Sequence, residues 1–249
     1  LFPDNVPKSV YDNLCASVRK NLPAVHRYYD LRRRKMNLDH IHHFDTYVPI
    51  LSEREVTHNW EQAVKVVMES LKPLGSEYCS ALEAGLSGRW CDRYENQGKR
   101  SGAFSSGTYD SIPYILMNYQ EDVIDSVFTL AHEAGHSMHT WLSQGAQPFQ
   151  DYDYPIFLAE VASTFNEELL THHLLERTKD KAMRAFLINR QIDDIRGTPA
   201  WDQATARIAL HRMGAGEEIA HAVMFLCSDQ GAWFTGQSIN LDGGHAVQH

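Results

Sequence analysis

The 249-residue sequence has only four cysteines, Cys15, Cys79, Cys91 and Cys227, and no two of them form a CxxC pair. They read as small apolar filler in a reduced, cytoplasmic compartment rather than as a disulfide framework. No stretch approaches the ~18 consecutive apolar residues of a membrane span, so no membrane partner is expected. Positive charge is in deficit, with 23 Lys and Arg against 32 Asp and Glu and a net charge of −9. Without a basic stripe, nucleic acid and anionic membrane are both poor partners. The glycines form neither GxGxxG nor GxxxxGK[ST], which argues against a phosphate-cradling loop. The first residues, Leu1 to Pro7, carry no basic region and no apolar run, so they are not a signal peptide. They also lack an initiator Met and open as if in mid-domain, as a fragment would. Internal repeats and low-complexity segments are absent.

What is present is mostly helical periodicity. Apolar residues make up 43% of the chain and aromatics 10%, enough for a substantial core. Residues 8–36 repeat Val10, Leu14, Val18 and Leu22 at helical spacing. The basic run Arg32 to Lys35 reads as a solvated helix end rather than an anion site. His40, His42, His43 and Tyr47 read as ordinary polar packing, with a metal-binding tract as the alternative. Residues 53–71 form an amphipathic helix with Trp60, Ala63, Val64, Val67 and Leu71 on one face, ended by Pro73 and Gly75. A further helix is expected over 76–93. Residues 98–119, rich in Gly, Ser and aromatics, suit a short hairpin or edge strand. Helices follow over 121–143, 156–178 and 181–196. After residue 198 the texture changes, to a helix over 216–229 and a strand over 236–241. The fold class expected is mainly α, with a small β hairpin or edge sheet and a short α/β tail.

The most informative residues are His132-Glu133-Ala134-Gly135-His136, inside the 121–143 helix, with Glu160 on the next helix. Two imidazoles at i and i+4 point the same way, one turn apart, as two ligands of one zinc ion require. Glu133 follows the first ligand, where it can act on a zinc-held water. His132, His136 and Glu160 as ligands leave a fourth position open for water, as catalytic zinc needs. Ser163 and Glu167 share the face of Glu160; Glu167 either holds the far nitrogen of a ligand imidazole or is solvated. His139 either lines the cleft or is structural. Gly135 costs the helix ~1 kcal/mol relative to Ala, which a close neighbour against its backbone would explain. The chemistry is hydrolysis of a peptide bond, with Glu133 moving the proton from water to the leaving amine. The same donor set also accepts Mn or Co.

Residues 1 to about 198 resemble oligoendopeptidase F, of the M3 group of zinc metallopeptidases. The stretches that carry the resemblance are PKSVYDNL, LPAVHRYYDLRRR, GKRSGAFSSGTYDSIPYILMNY, TLAHEAGHSMHTWLS and LAEVASTFNEELLTHHLL. The resemblance implies a helical, zincin-type catalytic region around a deep cleft, one Zn2+ on His132, His136 and Glu160, Glu133 as general base, and short cytoplasmic peptides as substrates. It also implies that Gly102–Tyr109 lies beside the cleft, where a peptide pairs with it as an added strand.

The family pattern is left near Arg196-Gly197-Thr198, before the family's later segment with a His and tyrosines that stabilise the oxyanion. Residues 199–249, above all RMGAGEEIAHAVMFLCSD and TGQSINLDGG, are similar to the C-terminal end of short-chain dehydrogenases. Neither a dinucleotide fingerprint nor a Tyr-x-x-x-Lys accompanies them. Three readings follow: a zinc endopeptidase, a zinc-binding but inactive remnant fused to a dehydrogenase tail, and, remotely, an NAD(P)-dependent oxidoreductase fragment. The tail's Ile219, Val223, Phe225, Leu226 and Trp233 are expected to form an exposed sticky patch.

Overall fold

A computed structural model of the chain describes residues 6–51 and 57–196. The chain divides into two units, Leu1–Leu187 and Ile188–His249; of the second, only the end of one helix is described. The expected helix, strand and sticky patch of the tail lie outside the described residues.

Six helices appear: α1 (Lys8–Lys35), α2 (Trp60–Ser70), α3 (Ser76–Ser87), α4 (Ile124–Ala146), α5 (Ile156–Arg177) and α6 (Lys181–Arg196). Three short strands, β1 (Cys91–Asp92), β2 (Phe104–Ser106) and β3 (Tyr114–Leu116), form one sheet in the order β1-β3-β2. β3 runs parallel to β1 and antiparallel to β2, with Ser105 opposite Ile115. The mainly α class and the edge strand within 98–119 are as the sequence indicates. Among the described residues, no helix is long and apolar enough to cross a membrane.

The core is built where the helical periodicity is strongest. Trp60, Ala63 and Val67 of α2 and Leu71 just after it cluster with Val127, Phe128, Ala131 and Ala134 of α4, with Leu82 and Leu86 of α3 and Leu170 of α5 closing the core. Local signals set the ends of α2: Asn59 accepts from the Gln62 N–H, and the Gln62 side chain accepts from the Asn59 N–H. This reciprocal cap satisfies two orphan donors and starts the helix at Trp60, later than expected.

Two further expectations are corrected. α3 stops at Ser87 instead of running to 93, because Trp90 folds back onto Gly85. A Cβ on Gly85 would lie 2.3 Å from the Trp90 ring, and Cys91–Asp92 then pairs with β3. Arg32 is not solvated: it is 2% exposed, and its guanidinium donates to the carbonyls of Thr46 at 2.8 Å and Val48 at 2.5 Å and to the Tyr28 hydroxyl at 3.2 Å. Only Arg33 and Arg34 behave as a helix-end pair, both bound to Asp30. The α1 stripe exists but is exposed, with Leu14 at 61% and Val18 at 53%. Among the described residues the His40–Tyr47 tract forms no metal-binding group; its polar side chains make local contacts, His42 stacking on Phe44 at 5.2 Å. Lys99 is a buried cation that sequence gives no reason to single out. Its ammonium donates to the carbonyls of Tyr94 and Met117, both at 2.7 Å, and ties the β1 loop to β3.

The helix pair that carries the motif meets backbone to backbone. A Cβ on Gly135 would sit 2.6 Å from Ser163 Cα and 2.7 Å from the Ala162 carbonyl oxygen. Both are backbone atoms of α5 that cannot move aside. The ~1 kcal/mol that Gly costs a helix is small beside ~1.5–3 kcal/mol for each large apolar side chain that α4 buries. Gly135→Ala should therefore destabilise the fold by ~1–3 kcal/mol or more through overpacking, read as a lower thermal midpoint by circular dichroism. An unchanged or raised midpoint would mean that α4 and α5 are not in backbone contact.

Candidate metal centre

α4 carries His132, Glu133 and His136, and α5 carries Glu160, Ser163 and Glu167. The structure brings all three predicted ligands together: His132 Nε2, His136 Nε2 and Glu160 Oε2 form a triangle with edges of 3.1, 3.5 and 3.7 Å. Tetrahedral bonds of the usual 2.0–2.1 Å set ligand atoms ~3.3–3.4 Å apart, so the triangle fits one such ion. It is the only group of three or more His, Cys, Asp or Glu able to hold a metal among the described residues.

Hydrogen bonds fix what the imidazoles offer. His132 Nδ1 lies 2.7 Å from Glu167 Oε1. A carboxylate can only accept, so Nδ1 carries the proton and Nε2 presents its lone pair inwards. Burial draws the His132 pKa down, but the Glu167 hydrogen bond and the carboxylates of Glu167, Glu133 and Glu160 outweigh it and the net shift is upward. His136 shifts downward, first through burial and then through His132, although its ring bonds to the Ala159 backbone. Two ring nitrogens 3.1 Å apart need a proton or a cation between them. Glu160 is oriented by Ser163, whose hydroxyl donates to Glu160 Oε2 at 3.0 Å. Of the two sequence alternatives for Glu167, the imidazole contact is the one observed.

Glu133 is 5% exposed, and its Oε2 is buried without a hydrogen-bond partner. Burial pushes its carboxyl up to about 7, opposed by His132 and a backbone hydrogen bond from Ser105 and reinforced by Glu160 and Glu167. A buried, unpaired carboxylate oxygen beside a cation-sized gap suits a proton acceptor that works on a water.

The site opens into a cavity of about 570 Å³ lined by β2 and its flanks (Ala103–Gly107), by the α4 side chains and by Tyr152, Asp153, Tyr154 and Ile156. Sequence reasoning missed the groups that shape this cavity. Ser105 and Ser137 share a hydrogen bond of 2.7 Å that fastens β2 to α4. Tyr154 stacks on His139 at 3.6 Å and bonds to Thr140 through its hydroxyl at 2.8 Å. His139 is thus a packing residue, not a ligand. Asn166, 1% exposed, donates to the Ala131 carbonyl and locks α5 to α4. The chain itself held one signal for these, the density of Ser and Tyr between residues 104 and 154.

Residues 1–222 match the sequence model described as Peptidase family M3. Among curated proteins, the chain is 44% identical over 198 residues to oligopeptidase PepF of Bacillus subtilis, covering 80% of this chain and 29% of that protein. It is 45% identical over 199 residues to an oligoendopeptidase F homolog of Borreliella burgdorferi, covering 80% of this chain and 34% of that one. Among solved structures, that of oligoendopeptidase-F from Enterococcus faecium superposes with a TM-score of 0.52 at 32% identity, over 82% of this chain and 28% of its own. One from Chlamydophila abortus reaches 0.70 at 44% identity, over 77% of this chain and 32% of its own. The chain spans about a third of the length of these curated relatives.

Glu167→Ala should weaken divalent-metal affinity by about 10–100-fold, because the His132 ring loses the partner that sets its tautomer and orientation. Competition against a chromophoric chelator measures it, and wild-type affinity in the variant would rule out that role.

Proposed function

The chain belongs to peptidase family M3, and from that premise we propose that it is the catalytic region of a zinc oligoendopeptidase. His132, His136 and Glu160 would hold the ion and Glu133 would act as general base. The single observation that carries the reading is the ligand triangle of 3.1–3.7 Å with the unpaired Glu133 oxygen beside it. When bound, the ion supplies Lewis acidity, polarising a carbonyl and lowering the pKa of water to ~7.

The chain's own residues do the rest. Glu133 takes a proton from the attacking water at its free oxygen and delivers it to the amine as the peptide bond breaks. Glu167 keeps the His132 proton on Nδ1, so that Nε2 would offer its lone pair to the ion. Among the described residues β2 is an edge strand, and the side it leaves unpaired there offers backbone groups to an extended peptide, which would lie along Ala103–Gly107 as an added strand. Short peptides are the proposed substrates for that reason. A cytoplasmic location is supported by the free thiols of Cys15, Cys79 and Cys91. We also propose that the peptidase-like part ends near residue 198 and that 199–249 is a separate, dehydrogenase-like segment, although the family match runs to residue 222.

The second reading is zinc binding without turnover. The loss of a single oxyanion donor costs ~10²–10³ in rate. A fluorescence-quenched oligopeptide separates the two. Zinc-loaded protein should cleave it, a chelator should stop cleavage, and Glu133→Gln should lower kcat/KM by about 10²–10⁴-fold. Bound zinc with no cleavage above the Glu133→Gln level would leave the second reading standing alone.

A further inference from the structure

We propose that the cavity beside the ligand triangle contains a subsite for a basic side chain of the peptide, with Asp153 receiving the cationic head and Tyr152 the aliphatic stem. The proposal rests on the peptidase reading and names the class of substrate that the site takes.

Three carboxylates line the cavity, those of Glu133, Glu160 and Asp153, and no Lys or Arg lines it among the described residues. A divalent ion at the triangle would offset the charges of Glu133 and Glu160. The charge of Asp153 would remain. Its carboxylate forms no ion pair among the described residues; one oxygen, Oδ1, accepts the Tyr154 N–H at 3.1 Å, which leaves the other for a ligand.

Asp153 is exposed, yet the chain on both sides of it is anchored to α4. On one side the Tyr152 carbonyl accepts from Ser143 Oγ at 2.5 Å. On the other, Tyr154 bonds to Thr140 at 2.8 Å and stacks on His139. The loop therefore holds its carboxylate in place before any ligand arrives, which lowers the entropy lost on binding. The Tyr152 ring is itself steadied by Tyr109 at 5.2 Å and Phe149 at 6.0 Å. Lys and Arg lay their methylene stems along such apolar surface while the charged head reaches a polar group. An acidic side chain in the same position would face an uncompensated like charge. The net charge of −9 acts in the same sense, steering cationic peptides towards the protein.

The test uses otherwise identical fluorescent decapeptides carrying Lys, Arg, norleucine or Glu at one scanned position. Binding is read by anisotropy on the zinc-loaded full chain with Glu133→Gln, so that no peptide is consumed. At one position the Lys and Arg peptides should bind up to about fivefold tighter than the norleucine peptide, the size expected for a solvent-screened pair. The preference should shrink at high salt, vanish in Asp153→Asn and turn towards the Glu peptide in Asp153→Lys. That reversal also shows that the variant is folded. Equal binding of all four peptides, a preference that survives Asp153→Asn, or no binding of any peptide would each overturn the subsite. Cleavage by the wild-type chain is scored separately: a Lys preference in binding with no turnover would sink the peptidase reading and leave the subsite intact.

Discussion

The contact on which the site depends is the one between the backbones of α4 and α5 at Gly135. Glu160 and Glu167 lie on a different helix from the two histidines, so their distances to the imidazoles are set by how closely two helices approach. With no Cβ at Gly135 to hold them apart, Ser163 Cα and the Ala162 carbonyl come against α4. Glu160 then reaches the inner side of the imidazole pair at 3.5 and 3.7 Å, and Glu167 the outer side of His132 at 2.7 Å. α5 thus presents Glu160 to the imidazole pair and, about two turns further on, Glu167 to the outer nitrogen of His132. Asn166, bonded to the Ala131 carbonyl at 3.1 Å, fixes the register along the helices that Gly135 fixes across them.

That closeness has an electrostatic cost. Glu133, Glu160 and Glu167 all act on His132, and Glu160 acts on His136 as well; the buried Glu133 is itself pushed up to about 7. In a low-dielectric setting like charges at this spacing are unfavourable. The arrangement is stable only with positive charge at its centre, either a shared proton or a cation. The fold therefore favours metal through its donor geometry and also by leaving carboxylate charge that something positive must neutralise. A site of this kind binds more strongly than the ligand count alone implies, because the ion also relieves repulsion already present in the folded chain.

How much of this was legible in the sequence follows from the distance over which each feature is encoded. His132, Glu133 and His136 are a helical pattern, readable because i and i+4 share a face. Glu160, Ser163 and Glu167 are a second such pattern. Gly135 was readable as an anomaly, a residue that lowers helix propensity inside a strongly amphipathic helix, and its partner proved to be the α5 backbone. What failed was non-local. Arg32 reads as one of four exposed cations because the carbonyls it binds belong to residues 13 to 16 positions later. Ser105 and Ser137, 32 positions apart, carry no periodicity that would pair them. The β1 strand was hidden because Trp90 ends α3 by packing on Gly85, a contact that helical periodicity does not encode. The α1 stripe was readable as a pattern but its exposure was not, since periodicity states which residues align and not what they meet.

The same distinction separates the two halves of the proposed chemistry. Every group that would hold the ion or move the proton comes from α4 and α5, and the backbone bond that steadies Glu133 comes from β2. All lie between Ser105 and Glu167, within one compact unit whose core is well filled. Metal binding is in that sense a local property of a helix pair and an edge strand. Peptide turnover is less local. It needs a strand edge to align the substrate, walls to exclude water and donors aimed at the charge that develops on the carbonyl oxygen. β2 and the Tyr152–Tyr154 loop supply the first and part of the second. The order of dependence follows from the architecture: the proposed cleavage would rest on the Gly135 contact and on the ligand triangle beside it, whereas neither of these requires cleavage.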